Sequence, residues 1–282
     1  MQESKTTKQH YKNDKPQQPK NAEYEREAEP SGIHFREGDT FKGIGAEAKC
    51  DSLARDDTMD GIKSINVFDK ILAANDKEAQ INREMLAKHK VLCINLMSSP
   101  GAGKTTLLEA TIKHGREHGD FRLGVVEGDL ETNKDAQRIQ NAGASAYQIT
   151  TGQTCHLDAL EVRRGLEHLD LDSLNLVFVE NVGNLVCPAS YDVGAHLNVV
   201  LLSVPEGADK VAKYPVMFRR ADCVVVTKCA LLEHFDFDLQ EVKEEAKKLN
   251  PQVECIALDS KSKEGLEQWI LFLNKKLQEA RF

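Results

Sequence analysis

From position 91 onward the chain is a succession of short apolar runs, separated by stretches in which apolar residues recur at helical spacing. The runs "VLCINLM" (91–97), "RLGVVEG" (122–128), "LNLVFVE" (174–180), "NVVLLSV" (198–204), "DCVVVTK" (222–228) and "VECIAL" (253–258) predict strands. They are apolar almost throughout instead of alternating, which predicts a parallel sheet covered on both faces. Between them, 104–118, 133–143, 157–169, 238–249 and 264–280 carry the helical period, and "SAYQIT" (145–150) is a candidate further strand. The result is an α/β class with three layers and a mostly parallel open sheet, whose strand order the pattern leaves open.

Ahead of this core, Ile65, Phe68, Ile71, Leu72, Ala79, Met85 and Leu86 recur at roughly helical spacing, with Ser64 or Asn66 as a candidate cap. One or two short lead-in helices are expected there. Residues 1–60 differ: Tyr11, Tyr24, Ile33, Phe35, Phe41 and Ile44 are their main large apolar residues, set in a polar stretch of mixed charge. So little apolar surface cannot offset chain entropy. A disordered polar tail over 1–60 and a single domain over 61–282 are the expectation.

Charge and cysteines narrow the class. With 37 Lys and Arg against 45 Asp and Glu, the net charge is −8. That speaks against non-specific nucleic-acid binding, and the basic clusters "FRRAD" and "EVRRG" are too short to track a phosphate backbone. The seven cysteines (Cys50, Cys93, Cys155, Cys187, Cys223, Cys229, Cys255) are odd in number and scattered, with no C-x-x-C pair. A disulfide framework is therefore not expected, and a reducing compartment is. No apolar run reaches membrane-span length, and "MQESKTTKQHYKNDKPQQPK" lacks the apolar segment of a signal peptide. Cytoplasm is the expected location, with no membrane partner.

The run 91–97 leads into "SSPGAGKTTLL". Ser98–Thr105 fits the phosphate-loop pattern G-x-x-x-x-G-K-S/T except at its first position, where Ser98 replaces glycine. The context of strand, turn and helix is the one the pattern requires. Pro100, Gly101, Ala102, Gly103, Lys104, Thr105 and Thr106 are thus candidate nucleotide-binding residues. Gly101 and Gly103 let backbone N–H groups converge on phosphate oxygens, at the positive end of the helix that follows. Lys104 would reach the β- and γ-phosphates, and the Thr105 hydroxyl would ligate Mg²⁺.

A phosphate loop needs acidic partners for metal and water. "VVEGDLETNKDAQR" offers Glu127, Asp129 and Asp135, and "LVFVENVG" offers Glu180. Carboxylates at the C-terminal ends of parallel strands share the sheet edge where such folds bind ligands. Glu180 also heads E-N-V-G, a variant of the switch sequence D-x-x-G, whose Gly183 could give an N–H to a γ-phosphate. On this reading Glu180 and Asp135 rank above Glu127 and Asp129.

"TGQTCHLD" (151–158) sets Cys155 and His156 side by side just ahead of a helix, and "NVGNLVCP" sets Cys187 beyond the switch-like loop. Two thiolates and an imidazole suit Ni²⁺ or Zn²⁺. The bland alternative makes Cys155 and Cys187 small buried hydrophobes and His156 a cap or surface residue. Spacing alone leaves both open. For Cys93, Cys223 and Cys255, inside apolar runs, the bland reading holds.

Taken together, "NLMSSPGAGKTTLL", "EGDLETNKDAQR", "TGQTCHLDA", "VENVGNLVCPASYDVG" and "EGADKVAKYP" resemble the HypB family of nickel-incorporation GTPases of NiFe-hydrogenase maturation, relatives of the urease accessory GTPase UreG. The resemblance runs from about Asn66 to Trp269, and "TTGQTCHLDA" and "ENVGNLVCP" are its most specific parts. It implies a Mg²⁺-dependent GTP-hydrolysing metallochaperone that forms a homodimer when nucleotide binds. The implied partners are the accessory protein HypA and the hydrogenase large subunit. It further implies that Cys155, His156 and Cys187 hold nickel or zinc at the dimer interface. Thr105, Asp129, Asp135 and Glu180 would serve magnesium, with Asp135 and Glu180 near the attacking water. Lys210 and Lys213 would touch nucleotide across the dimer.

Several positions depart from that pattern. Residues 1–60 hold only His10, His34 and Cys50, so a nickel-storage tail is not expected. Guanine recognition by N-K-x-D becomes Thr227, Lys228, Cys229 and Ala230, so the aspartate that would accept from the base is an alanine. Ala208 and Val211 replace the aspartate and proline of E-G-D-D-K-P, and the S-A-K-like segment reads Asp259, Ser260, Lys261. Two rivals follow: an NTPase of relaxed base specificity with the same metal cargo, and a nucleotide-binding scaffold without catalysis. Intact Lys104, Thr105, Asp135 and Glu180 argue against the second.

Overall fold

The computed structural model describes residues 67–129, 133–152, 154–280 and 282, so the tail expected over 1–60 and the cap at Ser64 or Asn66 lie outside the described residues. Seven strands form one sheet: β1 (Leu92–Ser98), β2 (Leu123–Asp129), β3 (Ser145–Thr150), β4 (Leu176–Glu180), β5 (Leu197–Ser203), β6 (Cys223–Thr227) and β7 (Glu254–Ala257). Their order is β3-β2-β4-β1-β5-β6-β7, with every neighbouring pair parallel. Each apolar run is one strand of the sheet. "SAYQIT" is the edge strand β3, and its half-exposed side chains explain its weaker apolar signal.

The eight helices among the described residues are α1 (Val67–His89), α2 (Lys104–His118), α3 (Lys134–Ala142), α4 (Ala159–Glu167), α5 (Lys210–Lys213), α6 (Pro215–Arg219), α7 (Leu239–Leu249) and α8 (Leu266–Glu279). Alternation within each strand divides them into two layers. Leu92, Ile94 and Leu96 of β1 and Cys223 and Val225 of β6 pack with Leu107, Leu108, Ile139, Trp269 and Leu273 of α2, α3 and α8. On the other face, Val177 and Val179 of β4 meet Leu86, Val162 and Leu166 of α1 and α4. Beside them Val224 and Val226 of β6 meet Val211, Met217, Phe218 and Val242 of α5 to α7. The buried Trp269 indole donates to Thr111 Oγ1 at 2.9 Å, so the largest core side chain leaves no polar atom unpaired.

Two differences from expectation have physical causes. The lead-in is one 23-residue helix, and its buried face carries Asn75 and Asn82 along with Ala79 and Leu86. Asn75 bridges Asp192 O (2.8 Å) and Ala159 N (2.9 Å), while Asn82 Nδ2 donates to Ala159 O (2.8 Å) and Val193 O (3.0 Å). Amides thus seat α1, whereas Ile71, counted in its apolar pattern, is 49% exposed. The short α5 and α6 were not anticipated, being too brief for a period to register. Val211 on α5 and Ala208 just ahead of it are both buried in the core there. No helix among the described residues is long and apolar enough to cross a membrane.

Candidate functional site

β1 sits in the middle of the sheet with all seven residues buried, and its C-terminal end delivers the phosphate loop to the strand-end edge. Gly101 (φ 76°) and Gly103 (φ 102°) take left-handed backbone angles that side chains rarely adopt, and α2 starts directly afterwards at Lys104. Lys104 is buried, and its Nζ donates to Ser98 Oγ at 3.2 Å. The serine at the variant first position therefore steadies the lysine, and its own hydroxyl donates to Ser99 O at 2.6 Å.

Thr105 Oγ1 donates to Glu180 Oε1 at 2.8 Å, joining the start of α2 to the end of β4. Next to it, Glu127 of β2 is the register partner of Glu180. Both carboxylates are buried, and the Oε2 atom of each lacks a hydrogen-bond partner. Burial pushes the Glu127 carboxyl up to about 8, helped by the negative charges of Glu180, Asp129 and Asp135 and opposed by Lys104. Burial also raises Glu180, against the opposing effects of Lys104 and the Thr105 hydroxyl. A hydroxyl and crowded carboxylates with orphaned oxygens form a hard, all-oxygen donor set, which fits Mg²⁺.

Asp135, in the first turn of α3, has a different immediate partner. Arg138 Nη1 donates to it at 2.9 Å, while Arg138 Nη2 donates to Glu109 Oε2 (2.7 Å) and Thr106 Oγ1 (3.3 Å). Asp135 thus belongs to an ion-pair network tying α3 to α2, and its charge is still felt by Glu127 and Glu180. Asp129 ends β2, two residues beyond Glu127. Gly183 lies against the phosphate loop: a Cβ there would stand 2.8 Å from Pro100 Cα. The switch-like loop and the phosphate loop are in backbone contact.

A cavity of about 480 Å³ opens beside the start of α2, lined among others by Ala102, Gly103, Thr227, Lys228, Ala230 and Asp259. Thr227 Oγ1 donates to Ala102 O at 2.6 Å, and Lys228 adopts a left-handed φ of 60°. Ala230 presents only a methyl group. Asp259, also buried, accepts at Oδ1 from Lys261 N (3.0 Å) and Ser262 N (2.8 Å). Burial raises its carboxyl, but these N–H groups outweigh that and hold it below the usual range. Neither Lys210 nor Lys213 lines this cavity: on α5, Lys210 Nζ lies 5.3 Å over the Tyr214 ring and Lys213 pairs with Asp209.

Cys155, His156 and Cys187 come together from two loops, each offering a donor atom within 4.8 Å of the others. The Cys155 and Cys187 sulfurs are 2.9 Å apart as free thiols. The neighbouring Cys155 thiol, followed by burial, pushes the Cys187 thiol up. His156 stacks on Tyr191 with ring centroids 3.9 Å apart, and its Nδ1 is buried without a hydrogen-bond partner. Burial lowers its pKa, against the opposing charge of Asp158, which favours the neutral imidazole a metal requires. A reciprocal capping box starts α4 just after His156: Asp158 Oδ1 accepts from Glu161 N (2.7 Å), and Glu161 Oε2 accepts from Asp158 N (3.0 Å). Cys93 and Cys223 stay in the core, where burial pushes the Cys93 thiol up to about 12.

Arg138 and Tyr191 are not singled out by the sequence patterns. Asp135 and Arg138 have a helical i, i+3 spacing that a charge-pattern search could have found. The stacking of Tyr191 on His156 depends on chain folding and left no local signal.

Residues 92–257 match the family described as "CobW/HypB/UreG, nucleotide-binding domain". The chain is 49% identical over 218 residues to the hydrogenase/urease maturation factor HypB of Helicobacter hepaticus, covering 76% of this chain and 88% of that protein. A crystal structure of HypB from Helicobacter pylori in complex with nickel is 45% identical, with a TM-score of 0.70 over 73% of this chain and 96% of that one. HypB from Archaeoglobus fulgidus is 39% identical in sequence, with a TM-score of 0.68 over 73% and 100% of the respective chains.

Proposed function

The chain belongs to the CobW/HypB/UreG family and to its HypB group, and from that premise we propose a GTP-hydrolysing nickel chaperone. As a member it is a nucleotide-binding P-loop enzyme that hydrolyses a nucleoside triphosphate. In the proposal, Lys104 and the N–H groups of Gly101 to Thr106 hold the phosphates. Thr105, Asp129, Asp135 and Glu180 are the residues that would hold Mg²⁺. Held by these residues, the ion would supply positive charge to offset that of the phosphates. Glu180 and Asp135 orient the attacking water, and Gly183 offers its N–H to the γ-phosphate.

Nickel is the cargo, held by Cys155, His156 and Cys187. The functional unit in this reading is a nucleotide-dependent homodimer, as the family resemblance implies, and the three donors of one chain leave room for ligands from a second copy. Lys210 and Lys213 reach nucleotide across that interface. The observation carrying this reading is that Cys187 follows Glu180 and Gly183 in one loop, while Gly183 rests on Pro100 of the phosphate loop. Loss of the γ-phosphate would release that loop and shift one sulfur relative to the Cys155–His156 pair. HypA and the NiFe-hydrogenase large subunit are the proposed partner and client. The Helicobacter relatives are named for hydrogenase and urease together, which makes a urease apoenzyme the alternative client.

Relaxed base choice is the second reading, favoured by Ala230 in the cavity wall. Parallel binding of GTP, ATP and XTP, each with and without Ni²⁺, tests both. Nucleotide-dependent nickel binding supports the chaperone. Nickel affinity indifferent to every nucleotide would remove it, and similar GTP and ATP affinities would establish the relaxed reading.

A further inference from the structure

Asn181 follows Glu180, is 1% exposed, and uses both atoms of its amide. Its Oδ1 accepts from Val182 N, next to Gly183, and from Leu157 N, next to His156, both at 3.0 Å. Its Nδ2 donates to Asn95 Oδ1 at 3.3 Å, and Asn95 Nδ2 donates to Asn198 Oδ1 at 3.2 Å. The far end of the amide is thereby anchored to β1 and β5 at the centre of the sheet, which aims its oxygen at the two loops.

We propose that Asn181 is the positioning residue that makes Cys155 and His156 follow the phosphate-responsive loop, so that nucleotide state sets the geometry of the whole metal cluster. The proposal rests on the reading above, in which Gly183 answers to the γ-phosphate and Cys155, His156 and Cys187 hold the cargo metal. Without such a link, only Cys187 shares a loop with Gly183. Cys155 and His156 arrive from the segment between β3 and α4. One oxygen shared by the N–H groups of Leu157 and Val182 closes that gap. Because a buried N–H deprived of its acceptor is costly, Leu157 follows Asn181 and does not part from it.

Leu157 is well placed to pass the movement on. Its side chain is fully buried on Gly128, where a Cβ would stand 2.7 Å from Leu157 Cγ. Gly128 lies between Glu127 and Asp129, so the residue after His156 touches the ends of both carboxylate-bearing strands: Asn181, directly after β4, by hydrogen bond, and β2 through this contact. A shift at the strand ends reaches it from two sides, and packed contacts of this kind transmit displacement with little slack.

The test is a Ni²⁺ titration of full-length wild type and Asn181→Ala, each with Mg²⁺–GDP and with a Mg²⁺-bound non-hydrolysable GTP analogue. The readout is the ratio of nickel affinities in the two states. Wild type should differ by at least about fivefold, and Asn181→Ala by less than about twofold. An undiminished ratio in the variant overturns the proposal while leaving the chaperone reading intact. A wild-type ratio of one removes that reading, and this proposal with it. Amide hydrogen exchange on wild type needs no variant to fold. Protection of Leu157 and Val182 should change together when GDP is replaced by the analogue. A change at Val182 with none at Leu157 overturns the link.

Discussion

Glu127 and Glu180 stand side by side at the ends of β2 and β4, buried as register partners, each with an oxygen that has no hydrogen-bond partner. Their burial, and for Glu127 the charge of Glu180 beside it, has a consequence for stability. In the folded chain Glu127 titrates near 8, against 4.5 for a free glutamate. Between those values the folded state binds a proton that the unfolded state lacks, so stability falls as pH rises through this window. Glu180 is raised too and acts in the same direction. With EDTA and no nucleotide, urea midpoints should decline from about pH 5 to about pH 8, and Glu127→Gln should flatten the decline. Saturating Mg²⁺–nucleotide should also flatten it, because a cation favours the ionised carboxylates. A slope identical in wild type and Glu127→Gln would contradict this account.

Cys155→Ala and Cys187→Ala should each weaken Ni²⁺ and Zn²⁺ binding, while Cys93→Ala should not. The first two sulfurs belong to the three-residue cluster, and Cys93 is a core residue whose thiol stays protonated. Each loss should exceed the roughly 10- to 100-fold that removing a group merely supporting a ligand costs. His156→Ala should also weaken binding, by less if water replaces the imidazole. Competition titration against a chromophoric chelator measures all four, and full affinity in the Cys155→Ala/Cys187→Ala double variant would exclude the site.

Gly183→Ala should slow hydrolysis. A methyl group there meets Pro100 backbone atoms at 2.8 and 2.9 Å, closer than real side chains approach, so one of the two loops must move. Because an error of about 1 Å in a catalytic loop can cost 100-fold in rate, single-turnover hydrolysis is expected to drop by roughly that factor. Wild-type turnover in this variant would mean that the contact has no part in catalysis.

Ala230→Asp should increase discrimination between GTP and ATP. An aspartate would accept from two guanine donors that the alanine methyl leaves unpaired, at a cost of about 1–3 kcal/mol, or roughly a tenfold to hundredfold change in affinity. Asp259 already puts a carboxylate in the same cavity wall, which would repel a second one. Pairing the substitution with Asp259→Ser separates the two effects. Competition binding should show weak GTP preference in wild type and the strongest in the double variant. Strong selectivity in wild type, untouched by either change, would mean that another group reads the base.

The strands could be read from sequence because a parallel strand covered on both faces has to be apolar nearly throughout, as Cys223–Thr227 is. The phosphate loop could be read for a similar reason, since its chemistry is local. What remained hidden depended on register or on distant partners. Nothing near Glu127 in the chain says that Glu180 will lie beside it. The link from Asp135 through Arg138 to Glu109 depends on how α2 and α3 pack together. On α1, Ala79 and Leu86 are buried as their spacing predicts. The buried Asn75 and Asn82 beside them could not be foreseen by a rule that buries aliphatics, because they depend on distant backbone partners.

That helix has a wider consequence. The nucleotide-binding match begins at residue 92, so α1 lies entirely before it. Yet Asn75 and Asn82 hold Ala159, Asp192 and Val193, which flank the segments carrying His156 and its stacking partner Tyr191. The segments that frame the metal cluster are therefore braced from outside the part of the chain that handles phosphate. Selection could adjust that brace, and with it the geometry of the Cys155, His156 and Cys187 cluster, without altering a single residue of the phosphate loop.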